Sequence, residues 1–321
     1  MISVAQLTKA FSEVQAVAGI DFEVDKGELF GFLGPNGAGK TTTINMLIGL
    51  ARADTGTIRI ADIDCSRNPK AAQHLMGIVP DESNLYPELT GLENLCFCGS
   101  LYGMRKSNRE SRAQELLERF GLKEAAQRKF GGYSKGMKRK LTIAAGIIHS
   151  PSILFLDEPT TGIDVASARQ IRQLIAELNA GGTTIFLTTH YIEEAERLCQ
   201  RIAFIVQGKI VRIDSVEDLL RQAAGSHTVQ FAVGRDALRL CQVVLEEFPT
   251  LECKALTKDR LRVSNPTPLR IGPLVRLLEE NGAEVTEAQV IRPSLEEVFV
   301  KMTGIEADAM RREKAGKGGA A

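Results

Sequence analysis

For about two thirds of its length the chain alternates short β-leaning apolar runs with stretches whose apolar positions recur at helical spacing. Residues 3–7 and 20–24 are runs of the first kind. Residues 28–33 (ELFGFL) form another, end in a glycine-rich turn, and are followed by a helical stretch over 41–50. From 90 to 127 the texture is helical, with Leu92, Leu95, Leu101, Leu116, Leu117 and Phe120 on the periodic face. A buried-type strand at 152–156, a helix at 166–179, a β-branched strand at 183–188 and a helix at 192–199 come next. Such alternation predicts a mostly parallel sheet with helices packed on it, an α/β architecture interrupted by one helical block.

Beyond about residue 220 the pattern changes to candidate strands at 228–233, 251–256, 261–263 and 284–291 and helices at 236–248 and 268–281. That is enough for a second, small α+β domain over 221–304 after a first domain over 1–220, with a helical subdomain at about 88–150. Residues 305–321, rich in charge, Gly and Ala, read as a disordered tail.

Composition adds exclusions. With 40 basic and 40 acidic side chains there is no general pull toward nucleic acid, so no nucleic-acid partner is expected. The richest apolar stretches, 143–148 and 153–156, fall far short of the roughly 18 to 20 residues a membrane span needs. Residues 1–11 lack the charged, apolar, small-residue order of a signal peptide, so the cytoplasm is the expected compartment. Cys65, Cys96, Cys98, Cys199, Cys241 and Cys253 are scattered without metal-site spacing and read as buried small hydrophobes in a reducing compartment. One local imbalance stands out. Residues 105–140 hold twelve basic and four acidic residues, which reads first as a solvated helical face and otherwise as a docking surface for a membrane partner or anionic headgroups.

The chemistry begins in the glycine turn. Gly34-Pro35-Asn36-Gly37-Ala38-Gly39-Lys40-Thr41, continuing to Thr42, has two glycines at phosphate-loop spacing followed by Lys and a hydroxyl residue. Glycines let successive N–H groups face phosphate, and the helix start adds a positive dipole end. Lys40 would contact the β- and γ-phosphates of ATP and Thr41 a Mg²⁺ ion. Downstream, an apolar strand ends in Asp157-Glu158. Asp157 would hold the Mg²⁺, directly or through its water, and Glu158 would orient and deprotonate the attacking water.

Three further segments narrow the reading: Tyr133-Ser-Lys-Gly-Met-Lys-Arg-Lys140 before a helix, Pro159-Thr-Thr-Gly-Ile-Asp164 after the acidic pair, and His190 just past the strand at 183–188. With these in order, roughly the first 215 residues resemble the ABC transporter ATPase family. The resemblance implies a P-loop core with an antiparallel β subdomain and a helical subdomain. It implies a head-to-tail homodimer in which Ser134 and Gly136 reach the other copy's γ-phosphate, His190 as the switch histidine, Asp164 in the loop joining the copies, and Phe11 as the aromatic stacked on adenine. As a lone aromatic, Phe11 also reads as an ordinary core residue.

Two positions depart from the family pattern. Lys135 replaces the first signature glycine and Met137 the following glutamine. In the loop 77–86, Asp81 stands where the family has a Mg²⁺-contacting glutamine; a carboxylate also binds Mg²⁺ or its water. Together with the ending Arg292-Pro-Ser-Leu-Glu-Glu-Val-Phe-Val-Lys-Met-Thr-Gly304, these features resemble bacterial exporters of the daunorubicin-resistance type. Their ATPase is a separate chain paired with an ABC-2-type permease, which implies efflux of a drug, lipid or glycan-like substrate from the cytoplasmic face of the plasma membrane. The rival reading is a soluble ABC ATPase of translation or DNA repair. Those usually carry two cassettes or a long coiled coil, and this chain has one phosphate loop and no sustained heptads.

Overall fold

The computed structural model describes residues 1–223, 227–291 and 294–305; Arg292 and Pro293 of the C-terminal motif, and the tail from 306 onward, lie outside them. Contacts divide the chain into Met1–Val216 with the described part of Phe299–Ala321, and Glu217–Val298.

The first unit opens with β1 (Ile2–Phe11), β2 (Val14–Val24), β3 (Leu29–Leu33) and α1 (Lys40–Leu47). β4 (Thr55–Ile60), β5 (Ile63–Asp64) and β6 (Met76–Val79) follow, then three helices, α2 (Gly91–Leu101), α3 (Lys106–Arg119) and α4 (Lys135–Gly146). It closes with β7 (Ile153–Asp157), α5 (Val165–Ala180), β8 (Thr184–Thr189), α6 (Ile192–Leu198), β9 (Arg201–Val206) and β10 (Lys209–Ser215). One sheet has the order β2-β1-β4-β5 and is antiparallel throughout; the other has the order β10-β9-β3-β8-β7-β6 and is parallel except for β10.

Five phenylalanines, Phe22, Phe30, Phe32, Phe155 and Phe186, meet at ring separations of 5.5 to 5.8 Å in the core that joins the two sheets. Ile44, Met46 and Leu47 of α1 are buried in the same core, so the helix after the glycine loop is anchored between the sheets. It stops early, at Leu47, because Gly49 turns with φ +78°. The helical block is likewise broken: α2 starts on a capping box between Thr90 and Glu93, and the chain turns at Gly103, φ +74°, before α3.

The parallel order has a direct consequence. β3, β8 and β7 are adjacent, with Leu33 beside Thr189 and Asp157 beside Thr188 in register. Their carboxyl ends therefore bring the glycine loop, His190 and the Asp157-Glu158 pair to one edge, where α/β sheets bind ligands.

The second unit runs from α7 (Val216–Ala223), whose first residue belongs to the first unit, through β11 (His227–Ala232), α8 (Ala237–Glu247), β12 (Glu252–Ala255), β13 (Arg260–Asn265), α9 (Ile271–Glu280) and β14 (Glu287–Ile291) to the start of α10 (Leu295–Thr303), which from Phe299 onward belongs to the first unit. The antiparallel sheet β12-β13-β11-β14 packs against α8 and α9 through Phe231, Leu240, Val244, Leu261, Val263, Leu274 and Leu278. β14 is shorter than the apolar pattern predicts because its partner β11 ends at Ala232, opposite Glu287. Cys241 of α8 and Cys253 of β12 form a disulfide with Cα atoms 5.3 Å apart, which corrects the reading of all six cysteines as unpaired. The turn between helix and strand folds both onto one core, and their spacing of twelve residues carries no sequence signal for it. Cys65 and Cys199 are buried free thiols, and Cys96 and Cys98 are half-buried. Within the first unit, Phe299 of α10 packs edge-on against Phe204 of β9, at 5.4 Å.

Among the described residues no helix is long and apolar enough to cross a membrane.

Candidate functional site

Two glycines of the loop are dictated by close approach. A Cβ on Gly34 would lie 2.1 Å from the Ile205 carbonyl oxygen, and one on Gly39 would lie 2.4 Å from that of Ala16, where φ is also +105°. The outer side of the loop is thus pressed against neighbouring main chain. Its inner side lines a cavity of about 410 Å³ with Asn36, Gly37, Lys40, Thr41, Thr42, Asp81 and Glu158. Gly39 caps α1 without a side-chain acceptor, so the first-turn N–H groups of the helix are presented by backbone alone. A loop whose side chains are excluded on one face and whose N–H groups and lysine meet a cavity on the other fits a polyphosphate.

Lys40 is buried, and its ammonium donates to the carbonyl oxygens of Gly34 (2.8 Å) and Pro35 (3.1 Å) while lying 3.3 Å from Oε1 of Glu158. The other oxygen of that carboxylate, Oε2, is 2.7 Å from Nδ1 of His190 and accepts from Thr161 Oγ1 at 3.1 Å. Burial by itself would push the Glu158 carboxyl up. The His190 hydrogen bond, the Lys40 charge and the Thr161 hydroxyl outweigh it and hold the group below the usual carboxylate range.

Asp157 behaves in the opposite sense. Thr41 Oγ1 donates to its Oδ2 at 3.1 Å and Thr188 Oγ1 to its Oδ1. Burial nevertheless raises its carboxyl above the usual range against those two bonds, and the Glu158 and Asp81 carboxylates add to the rise. A hydroxyl and a carboxylate at hydrogen-bond distance, with Asp81 on the same cavity, form an all-oxygen donor set suited to a hard divalent cation.

The remaining sequence candidates lie elsewhere. Phe11 is 52% exposed at the end of β1 with the Lys9 ammonium 5.2 Å above its ring, so it is not a core residue; the cavity wall on that side comes from Val14, Gln15 and Ala16. Ala38 is buried, and its carbonyl accepts from the Gly208 N–H at 2.9 Å. Ser134 is the exposed N-cap of α4, accepting from Met137 N–H at 3.2 Å. Gly136 is buried against α5, where a Cβ would lie 2.3 Å from Ser167 Oγ, so close packing alone demands glycine there. Asp164 is the N-cap of α5 through Ser167 N–H at 2.9 Å. Ser134, Gly136 and Asp164 do not line the cavity of their own chain.

Several contributors escaped the sequence reading. Thr188 holds Asp157, and its signal was a polar residue inside a fully buried strand, directly in register with the acid. Thr161 holds Glu158, and Thr160 Oγ1 donates to the buried Glu194 at 2.7 Å. Gln207, in the turn after β9, lines the cavity. Arg139, counted within the basic run, is buried rather than solvated.

Comparison with known proteins is consistent with this geometry. Residues 17–161 match the family described as ABC transporter. The chain is 37% identical over 308 residues to the linearmycin resistance ATP-binding protein LnrL of Bacillus subtilis (strain 168), covering 95% of this chain and 98% of that protein. It is 36% identical over 322 residues to the daunorubicin/doxorubicin resistance ATP-binding protein DrrA of Streptomyces peucetius, covering 98% and 96%. A solved ATP-binding cassette, dimeric in a post-hydrolysis state bound to ADP and Pi, superposes with a TM-score of 0.62 at 27% identity, covering 67% of this chain and 99% of the other.

Proposed function

The chain belongs to the ABC transporter family of ATPases, and from that premise we propose that it powers export of a drug-like, lipid or glycan-like molecule through a separate ABC-2-type permease. The observation that carries the reading is the convergence of Lys40, Glu158 and His190 beside the glycine loop at the carboxyl edge of three parallel strands.

ATP binds with its phosphates along Gly34–Thr42, where backbone N–H groups and Lys40 offset their charge. Mg²⁺, held by Thr41 and Asp157 with Asp81 reaching it directly or through water, would neutralise charge on the β- and γ-phosphates. Glu158 takes the proton of the attacking water, and His190 fixes the orientation of that carboxylate. Ser134 and Gly136 of a second copy complete the site, so that ATP joins two copies and cleavage releases them. Asp164, the N-cap of α5, serves in the loop that joins the copies, and Phe11 is exposed to take the adenine face. The dimeric cassette among the similar structures supports this arrangement.

The permease docks at the cytoplasmic face of the plasma membrane. In support, Tyr86, Phe97, Leu101 and Tyr102 are exposed on and beside α2, with Tyr86 and Phe97 in edge contact at 5.2 Å. The second unit, with no catalytic constellation among its described residues, stabilises or regulates the dimer; deleting it without effect on dimerisation, turnover or transport would refute that role.

Glu158→Gln tests the core of the reading. Loss of the base should slow turnover about 100- to 10,000-fold while ATP still binds and traps a dimer. Unchanged turnover would overturn the assignment. A multi-span permease co-purifying from detergent-solubilised membranes supports transport, and ribosomes or DNA in its place would refute it.

A further inference from the structure

Arg139 sits on α4 at the end of the basic run, between Lys138 and Lys140, yet only 7% of it is exposed. Its guanidinium meets four main-chain carbonyls. Nε donates to Pro159 at 2.9 Å, Nη2 to Asp157 at 2.6 Å, and Nη1 to Asp81 at 3.0 Å and to Pro80. Because every acceptor is backbone, what the side chain fixes is the path of two loops.

Those loops are the ones the chemistry depends on. Asp157 and Pro159 flank Glu158, whose φ of +50° lies in the left-handed region that non-glycine residues avoid. Such a conformation persists only where the surroundings over-determine it. Asp81, which follows Pro80, lines the same cavity as Glu158. Burial works against the charge on Arg139, and the carboxylates of Asp81, Asp157, Glu194 and Glu158 around it favour that charge. Lysine supplies a point charge but not the planar fork that bridges four acceptors.

We propose that Arg139 is a positioning residue for hydrolysis: its guanidinium staples the turn that aims Glu158 to the loop that carries Asp81, and ties both to α4. The inference rests on Glu158 being the general base. Since Ser134 begins α4, engagement of that helix by a second copy would reach the base through the hydrogen bonds of one side chain.

A double-substitution cycle on the full chain tests this, with Arg139→Lys, Arg139→Gln, Glu158→Gln and the paired variants. Single-turnover ATP cleavage, ATP affinity and thermal unfolding are measured for each. Arg139→Lys should slow cleavage about 10- to 100-fold while ATP affinity stays within about threefold, because misaiming costs rate and not binding. The pair Arg139→Lys with Glu158→Gln should be no slower than Glu158→Gln alone, since a residue acting only through the base loses its effect when the base is gone. Multiplying effects would overturn the proposal, as would affinity and melting temperature falling in step with rate in both Arg139 variants. If Glu158→Gln itself turns over normally, the general-base reading fails and the inference with it; multiplying effects beside an inactive Glu158→Gln remove the inference alone.

Discussion

The imidazole Nδ1 of His190 lies 2.7 Å from Glu158 Oε2, and the opposite oxygen of the same carboxylate lies 3.3 Å from the Lys40 ammonium. One carboxylate therefore ties together the ends of three adjacent strands, and its charged form depends on both neighbours. Replacing His190 by Ala removes the leading influence opposing burial, so the Glu158 carboxyl should rise. A base that protonates at higher pH loses activity earlier on acidification. The acid limb of the turnover profile should move to higher pH, with a rate loss of about 100-fold or more at neutral pH. Phosphate release measured across pH reads both, and an unmoved acid limb would separate His190 from the base. The stability linkage has the same sign: Glu158 is held below its unfolded value, so its contribution is present above that value and fades as pH falls through the folded one.

Asp157 predicts the opposite linkage. Burial holds its carboxyl above the unfolded value, so the folded state takes up a proton there and stability is lost as pH rises through that window. Asp157→Asn removes the buried charge while keeping an acceptor for Thr41 or Thr188. The variant should melt higher at neutral pH, by about 2–4 °C for each kcal/mol gained in a domain of this size, and lose the advantage below the unfolded carboxylate range. Its hydrolysis should collapse. Thermal scans at two pH values decide, and a lower melting temperature at neutral pH would contradict the burial argument.

The legible parts of this chain are those whose physics is local. The glycine loop, the acidic end of β7 and His190 are visible because a strand, a turn and a helix impose spacing and residue type on a short window. Strands such as β4 and β6 were missed: β4 buries only Ile58 and Ile60, and β6 is four residues long. The contacts made by Arg139 link α4 to two loops, and its neighbours in sequence are exposed or half-exposed bases, so nothing local marks it as buried. The Cys241–Cys253 pairing depends in the same way on how a turn folds a helix onto a strand.

Gly136 separates packing from chemistry. A Cβ there would lie 2.3 Å from Ser167 Oγ and 2.6 Å from Ser167 Cβ, so Gly136→Ala forces α4 off α5. Overpacking of this kind costs about 1–3 kcal/mol. Pairing it with Ser167→Gly should recover most of the stability by opening the contact. If turnover and ATP-driven dimerisation remain low in the stable double variant, the glycine also serves the second copy's nucleotide; if both return, its role is packing alone.

Asp81 tests how a negative charge at the cavity mouth changes cation handling. Its carboxylate contributes to the raised Asp157 carboxyl, and its carbonyl accepts from Arg139, so Asp81→Gln removes the charge while leaving the backbone anchor in place. Two effects then oppose each other. With one carboxylate fewer, the oxygen donor set attracts Mg²⁺ less; with Asp157 easier to ionise, protons compete less. Near neutral pH the lost charge dominates, because it is taken from the cation's own oxygen donor set, whereas the effect on Asp157 is indirect. The concentration of Mg²⁺ giving half-maximal turnover should rise about three- to tenfold, equivalent to roughly 1 kcal/mol, with maximal turnover kept within about tenfold. As pH falls the gap should narrow, because proton competition at Asp157 grows more for the parent chain. Magnesium titrations at two pH values read both signs, and identical curves at neutral pH would place the Asp81 carboxylate outside the cation's reach.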